Sequence, residues 1–206
     1  MKEVSLDKIL PAVTIDQSTK AAFVAGAFIA GGIHQMEITF RTEATIASIT
    51  TVRKTYPQML IGAGTILTTE QLHLAKDAGA QFGLAPGLNP KIVEEAGKIN
   101  FPFIPGVMTP SEIELAIEMG CKIMKLFPAG LLGGIDMIKT LNGPYAHKGI
   151  QFIPMGGINI ENMNDYLSIK NVLAIGGSWL APEKLVLQCA YASITANVIK
   201  AMSRLK

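Results

Sequence analysis

The sequence predicts an α/β protein: a (β/α)8 TIM barrel forming a single domain over residues 1–206. Three observations carry that reading. Eight short apolar runs recur at spacings of roughly 20 to 29 residues, the length of a strand, a helix and two short loops. The runs are apolar nearly throughout instead of alternating, as strands of a parallel sheet covered by helices are. No linker or low-complexity segment interrupts them. A barrel of 206 residues is short for its class, where about 250 is typical, so insertions must be few. The competing architecture, an open doubly wound sheet, usually has fewer strands and often an early GxGxxG turn. Here the first run is followed by Asp16-Gln17-Ser18, with no glycine.

The first run, Ile9–Ile15, leads into Ala21–Ile33, an Ala/Gly-rich stretch of 13 residues. It is too short to span a bilayer, which needs about 20 residues, and reads as a buried helix. Glu3, Asp7 and Asp16 precede it where an export signal would be positive, so a cytoplasmic protein is expected. The second and third runs are Met36–Arg41 and Leu60–Thr65. Thr68-Thr69-Glu70 then opens a helix over Gln71–Ala78 that stops at Gly79. After the fourth run, Phe82–Gly87, Asn89-Pro90 opens Lys91–Ala96, which stops at Gly97. The fifth run is Phe101–Gly106, and Thr109-Pro110 opens Ser111–Met119 with proline at the first helical position. The sixth and seventh runs are Ile123–Ala129 and Phe152–Ile158, after which Asn159 can cap a helix beginning near Ile160. The eighth run is Leu173–Leu180, and residues 182–206 read as one final helix.

Composition narrows the function. The chain is 49% hydrophobic and 17% charged, against about 25% charged in ordinary domains, which excludes disorder and points to extensive burial in a core or a subunit interface. A net charge of +2 without a basic cluster argues against nucleic acid and anionic membranes as partners. Cys121 and Cys189 are far apart, so a disulfide scaffold is excluded and a reducing compartment fits. His34, His73 and His147 lack close metal-ligand spacing, so no metal-dependent mechanism is expected.

In a barrel the chemistry sits where strands end at the C-terminal face. On the second run Glu37, Thr39 and Arg41 share one side, while Met36, Ile38 and Phe40 would pack on helices. The polar side then points into the barrel, where a carboxylate is costly unless paired. Glu37 and Arg41 stand about 13 Å apart along a strand, so each needs another partner. On the sixth run Lys125 is a lone charge on the side of Phe127. Burial disfavours a charged amine, and a neutral amine adds to carbonyls to form Schiff bases. The second and sixth strands are both even-numbered and lie across the barrel, so Lys125 and Glu37 can share one side-chain layer. A nucleophilic amine beside a proton-shuttling carboxylate and a lysine that merely neutralises Glu37 are both compatible with this placement. Two glycine turns, Gly156-Gly157 and Gly176-Gly177-Ser178, end the seventh and eighth runs, where barrels often bind phosphate through backbone N–H groups.

Six stretches taken together are more specific: Glu37–Thr42, Gly62–Thr65, Pro86–Leu88, Lys125–Ala129, Gly156–Ile158 and Ile175–Trp179. In order and over most of the chain they resemble the class I 2-keto-3-deoxy-6-phosphogluconate (KDPG) and 4-hydroxy-2-oxoglutarate (KHG) aldolases. The resemblance implies a metal-independent, cofactor-free carbon–carbon lyase with a small 2-keto acid substrate, built as a homotrimer of barrels. Lys125 would form the Schiff base and Glu37 would act as general acid/base. Arg41 and Thr65 would hold the pyruvate carboxylate, Pro86 would line the pocket, and Phe127 would pack on the pyruvyl part. Gly156, Gly157, Gly177 and Ser178 would bind the distal phosphate. One departure concerns Met155, where gluconate-type relatives carry a threonine that reads the C4 hydroxyl and galactonate-type relatives an aliphatic residue. Some relatives also place an arginine on the first strand, where Ala12-Val13-Thr14 offers none. Selectivity for the 6-phosphogalactonate epimer is therefore one alternative. Outside the aldolases, the same turns would serve another phosphate-binding barrel, such as an epimerase or synthase, or a non-catalytic sugar-acid phosphate sensor.

Overall fold

The structure, a computed structural model, describes residues 4–205. Its elements alternate: β1 (Ile9–Val13), α1 (Ala21–Gly31), β2 (Gln35–Thr39), α2 (Thr45–Thr55), β3 (Leu60–Gly64), α3 (Thr69–Asp77), β4 (Phe82–Leu84) and α4 (Pro90–Lys98). They continue with β5 (Phe103–Ile104), β6 (Gly106–Val107), α5 (Pro110–Glu118), β7 (Ile123–Leu126), α6 (Gly134–Tyr145), β8 (Gln151–Pro154), α7 (Met163–Leu167), β9 (Ile175–Gly177), α8 (Glu183–Leu187) and α9 (Tyr191–Arg204). All strand pairs are parallel, in the orders β5-β4-β3-β2-β1-β9 and β6-β7-β8.

The two sheets are one barrel. The expected fifth strand is a single run broken into β5 and β6 at Pro105, which has no N–H to give a ladder. Its carbonyl is still used and accepts from Lys125 N at 2.9 Å. On the other side, isolated parallel bridges join the β8 and β9 segments, with Phe152 opposite Val172 just before β9 and Met155 just after β8 opposite Gly176. Eight expected strands are thus present, one of them interrupted, and the open-sheet alternative is overturned by closure.

The core has the two layers a barrel requires. Leu10, Phe82, Leu84, Ile104, Ile153, Met155 and Ala174 fill the inside. A larger cluster lies between strands and helices, with Phe28, Met36, Ile38, Ile61, Met124, Leu126 and Phe152 in it. Ile38 and Glu37 therefore point to opposite sides of β2, as alternation demands. The Ala21–Ile33 stretch forms α1, whose Val24, Ala25 and Phe28 are buried, and Gly32 closes it in the left-handed conformation. Among the described residues no helix is long and apolar enough to cross a membrane.

Helix starts follow the expected side chains. Thr68 accepts from Gln71 N at α3, and Asn89 accepts from Lys91 N at α4 with Pro90 first in the helix. At α5, Thr109 and Glu112 form a complete capping box. Two expectations are corrected. Asn159 accepts from the N–H groups of Glu161 and Asn162, but this closes a turn, and α7 begins only at Met163. The final segment is two helices instead of one. Cys189 adopts φ 53° between α8 and α9, and Ala190 N donates back to Leu185 O, ending the first helix.

Candidate active site

A cavity of about 230 Å³ opens at the C-terminal ends of the strands, and it gathers residues from β1, β2, β7 and β9 and from the turn after β8. Glu37, Arg41, Lys125, Phe127, Met155, Gly156, Gly157, Gly177 and Ser178 all line it. Thr65 and Pro86 follow β3 and β4, are half-buried, and do not line it. Arg41 lies just past the end of β2, not within it: its N–H turns back to Thr39 O at 2.8 Å, and its side chain is exposed.

At the floor, Lys125 Nζ stands 3.4 Å from Glu37 Oε1. The Glu37 side chain is 0% exposed and that of Lys125 only 7%, so the pair is out of water. The ammonium also lies 5.4 Å from the centroid of the Phe127 ring. Register explains the meeting. Glu37 pairs between Ala12 and Gly62, while Lys125 pairs between Gly106 and Ile153 across the barrel. Three of these four neighbours are Ala12, Gly62 and Gly106, and the Phe82 ring fills the space beside Gly62. A Cβ at Gly64 would overlap Glu37 Oε1 and Cδ and stand 2.5 Å from Cγ, so the carboxylate occupies the space that a side chain at 64 would take.

A buried pair that served only stability would have its remaining atoms satisfied, because desolvating two charges outweighs one loose contact. Glu37 Oε2 is buried and has no hydrogen-bond partner among the described residues. It is an acceptor held inside the cavity wall. A carboxylate with one oxygen on the amine and one unpartnered can pass a proton to or from a carbon skeleton bound to that amine.

The glycine turns are held open by their neighbours. Gly156 and Gly157 adopt φ +88° and +83°, which L side chains rarely do. Ala129 N and Gly130 N donate to the carbonyls of Met155 and Gly156, both at 2.8 Å. Asn162 Nδ2 donates to Gly157 O at 2.9 Å. With their carbonyls tied down, these turns line the cavity together with exposed Ser178, whose segment runs alongside through the Met155–Gly176 bridge.

One family of aldolases, described as "KDPG and KHG aldolase", matches residues 1–197. The chain belongs to that family. Among relatives, the 2-dehydro-3-deoxy-phosphogluconate aldolase of Haemophilus influenzae is 47% identical over 179 residues, 87% of this chain and 84% of its own. The KHG/KDPG aldolase of Escherichia coli K12 is 38% identical over 187 residues, 91% of this chain and 87% of its own. A solved structure of the KDPG aldolase of Legionella pneumophila holds pyruvate as a covalent carbinolamine. It is 37% identical, with a TM-score of 0.90 over 94% of this chain and 93% of that one. The fold and the aldolase class expected from the sequence are those of the family.

Sequence reasoning missed Thr14, Trp179 and Pro182, which also line the cavity. Thr14 had a usable signal: it is two residues beyond Ala12 on the inward side of the first run. Trp179 and Pro182 follow the last strand in irregular chain, where no periodicity tells inside from outside. No cluster of three or more metal-ligating side chains occurs among the described residues.

Proposed function

We propose that the protein cleaves KDPG to pyruvate and glyceraldehyde 3-phosphate, and KHG to pyruvate and glyoxylate, through a Schiff base on Lys125. The observation that carries this is the buried Lys125–Glu37 pair with its unpartnered carboxylate oxygen. Lys125 Nζ adds to the C2 carbonyl, and loss of water from the carbinolamine gives a protonated imine. Glu37 takes the C4 hydroxyl proton while the C3–C4 electron pair flows into the imine. The aldehyde leaves, an enamine remains, a proton is returned to C3, and water releases pyruvate from Lys125. The iminium is the electron sink, so the step needs no metal.

Arg41 supplies a cation for the pyruvate carboxylate, with Thr65 and Pro86 on the flank formed by β3 and β4 and Phe127 against the pyruvyl group. Gly156, Gly157, Gly177 and Ser178 take the phosphate through N–H groups and a hydroxyl. The active unit is a homotrimer working in the cytoplasm, where the unpaired Cys121 and Cys189 stay reduced.

Incubation with pyruvate and borohydride tests the reading. A single pyruvate adduct mapped to Lys125 is expected. Folded protein that gains no adduct would overturn the aldolase and return the choice to a phosphate-binding barrel of other chemistry or a sensor.

A further inference from the structure

We infer that Thr14, oriented by Thr39, reads the hydroxyl on C5 of the phosphorylated substrate. The inference rests on the aldolase reading above and adds a residue to it. Thr39 Oγ1 donates to the Val13 carbonyl at 3.2 Å, and Thr14 Oγ1 lies 3.1 Å from Thr39 Oγ1. A carbonyl can only accept, and a hydroxyl has one proton. Both contacts are hydrogen bonds at once only when Thr39 donates to Val13 and Thr14 donates to Thr39, and that is the arrangement inferred. Thr14 Oγ1 is left with lone pairs only, on a residue that lines the cavity. Such an atom binds a ligand that donates, which a hydroxyl does and a phosphate dianion or carboxylate does not.

The topology places this acceptor along the substrate. Neighbouring strands run β2-β1-β9. Glu37 is on β2 opposite Ala12 of β1, and Gly177 of β9 is opposite Pro11. Thr14 is two residues past Ala12, one side-chain layer, or about 7 Å, farther toward the loops. It thus lies between the carboxylate that handles C4 and the glycine turn assigned to the phosphate on C6. The hydroxyl between those two carbons is on C5. The five-carbon substrate KHG ends in a carboxylate at that carbon and has no such donor.

The test compares cleavage of the two substrates by Thr14→Val and Thr14→Ser. Loss of one neutral hydrogen bond should lower the kcat/KM ratio of KDPG to KHG roughly two- to tenfold in the valine variant, and the serine variant should restore it. Thr14→Ala repeats the comparison without the β-branched bulk. In the condensation direction, the wild-type preference for glyceraldehyde 3-phosphate over 3-oxopropyl phosphate, the same aldehyde without its hydroxyl, should shrink in Thr14→Val. An unmoved ratio, or a serine variant as impaired as the valine one, overturns the role of Thr14. Borohydride trapping of pyruvate on the same proteins separates the two levels. An adduct on Lys125 with an unmoved ratio removes only Thr14, whereas no adduct removes the aldolase itself.

Discussion

At the scale of single residues, the site depends on space withheld as much as on groups supplied. Glu37 can lie against Lys125 because position 64 has no side chain. Gly64→Ala should push the carboxylate off its seat and lower kcat by roughly 10²–10⁴, the usual worth of one acid/base group. If the effect runs through Glu37, Gly64→Ala should cost almost nothing further in a Glu37→Ala background, since the space is then vacant. Equal losses in both backgrounds would show a general packing role instead. Met155 carries the second prediction. Its side chain is 2% exposed, lines the cavity and cannot donate a hydrogen bond. Met155→Thr should raise the rate ratio of the gluconate to the galactonate epimer, and competition between the two epimers in one vessel measures that ratio directly.

At the scale of elements, helix starts were the most legible features. Thr68, Asn89-Pro90 and Thr109-Pro110 mark α3, α4 and α5 because a capping side chain satisfies N–H groups only a few residues away. Thr109→Ala removes one half of the capping box and should destabilise the protein by about 1 kcal/mol in urea unfolding, with the trapping of pyruvate retained. Boundaries set from a distance were not legible. The break at Pro105 was open to reading, because proline cannot donate, yet its effect on the barrel depends on the strands at either side. The separation of α8 from α9 gives no such sign. Gln188-Cys189-Ala190 contains neither glycine nor proline, and Cys189 takes its positive φ in the packed chain.

At the scale of the whole molecule, a low charge content leaves apolar side chains outside the barrel. Phe23 is 62% exposed and stacks on Tyr191 with ring centroids 5.3 Å apart, and Leu131 is 88% exposed on the turn after β7. Burying such groups between subunits is favourable. If the proposed homotrimer is the assembly that covers them, the protein sediments at three times the 22.0 kDa chain mass, and a monomer at micromolar concentration would remove the trimer.

The sequence by itself determined the number of βα units, the inward side of β2 and β7, and which of those inward positions carry a carboxylate and an amine, Glu37 and Lys125. These are local facts: alternation along a strand and the kind of atom on each side chain need no neighbours. Only the tertiary structure decided that Glu37 reaches 3.4 Å from Lys125 with one oxygen unpartnered. It alone set Gly64 against that carboxylate and brought Thr14 Oγ1 to 3.1 Å from Thr39 Oγ1. Each of these joins residues on different strands, and such distances are fixed by barrel closure and register, which the spacing along one chain does not contain.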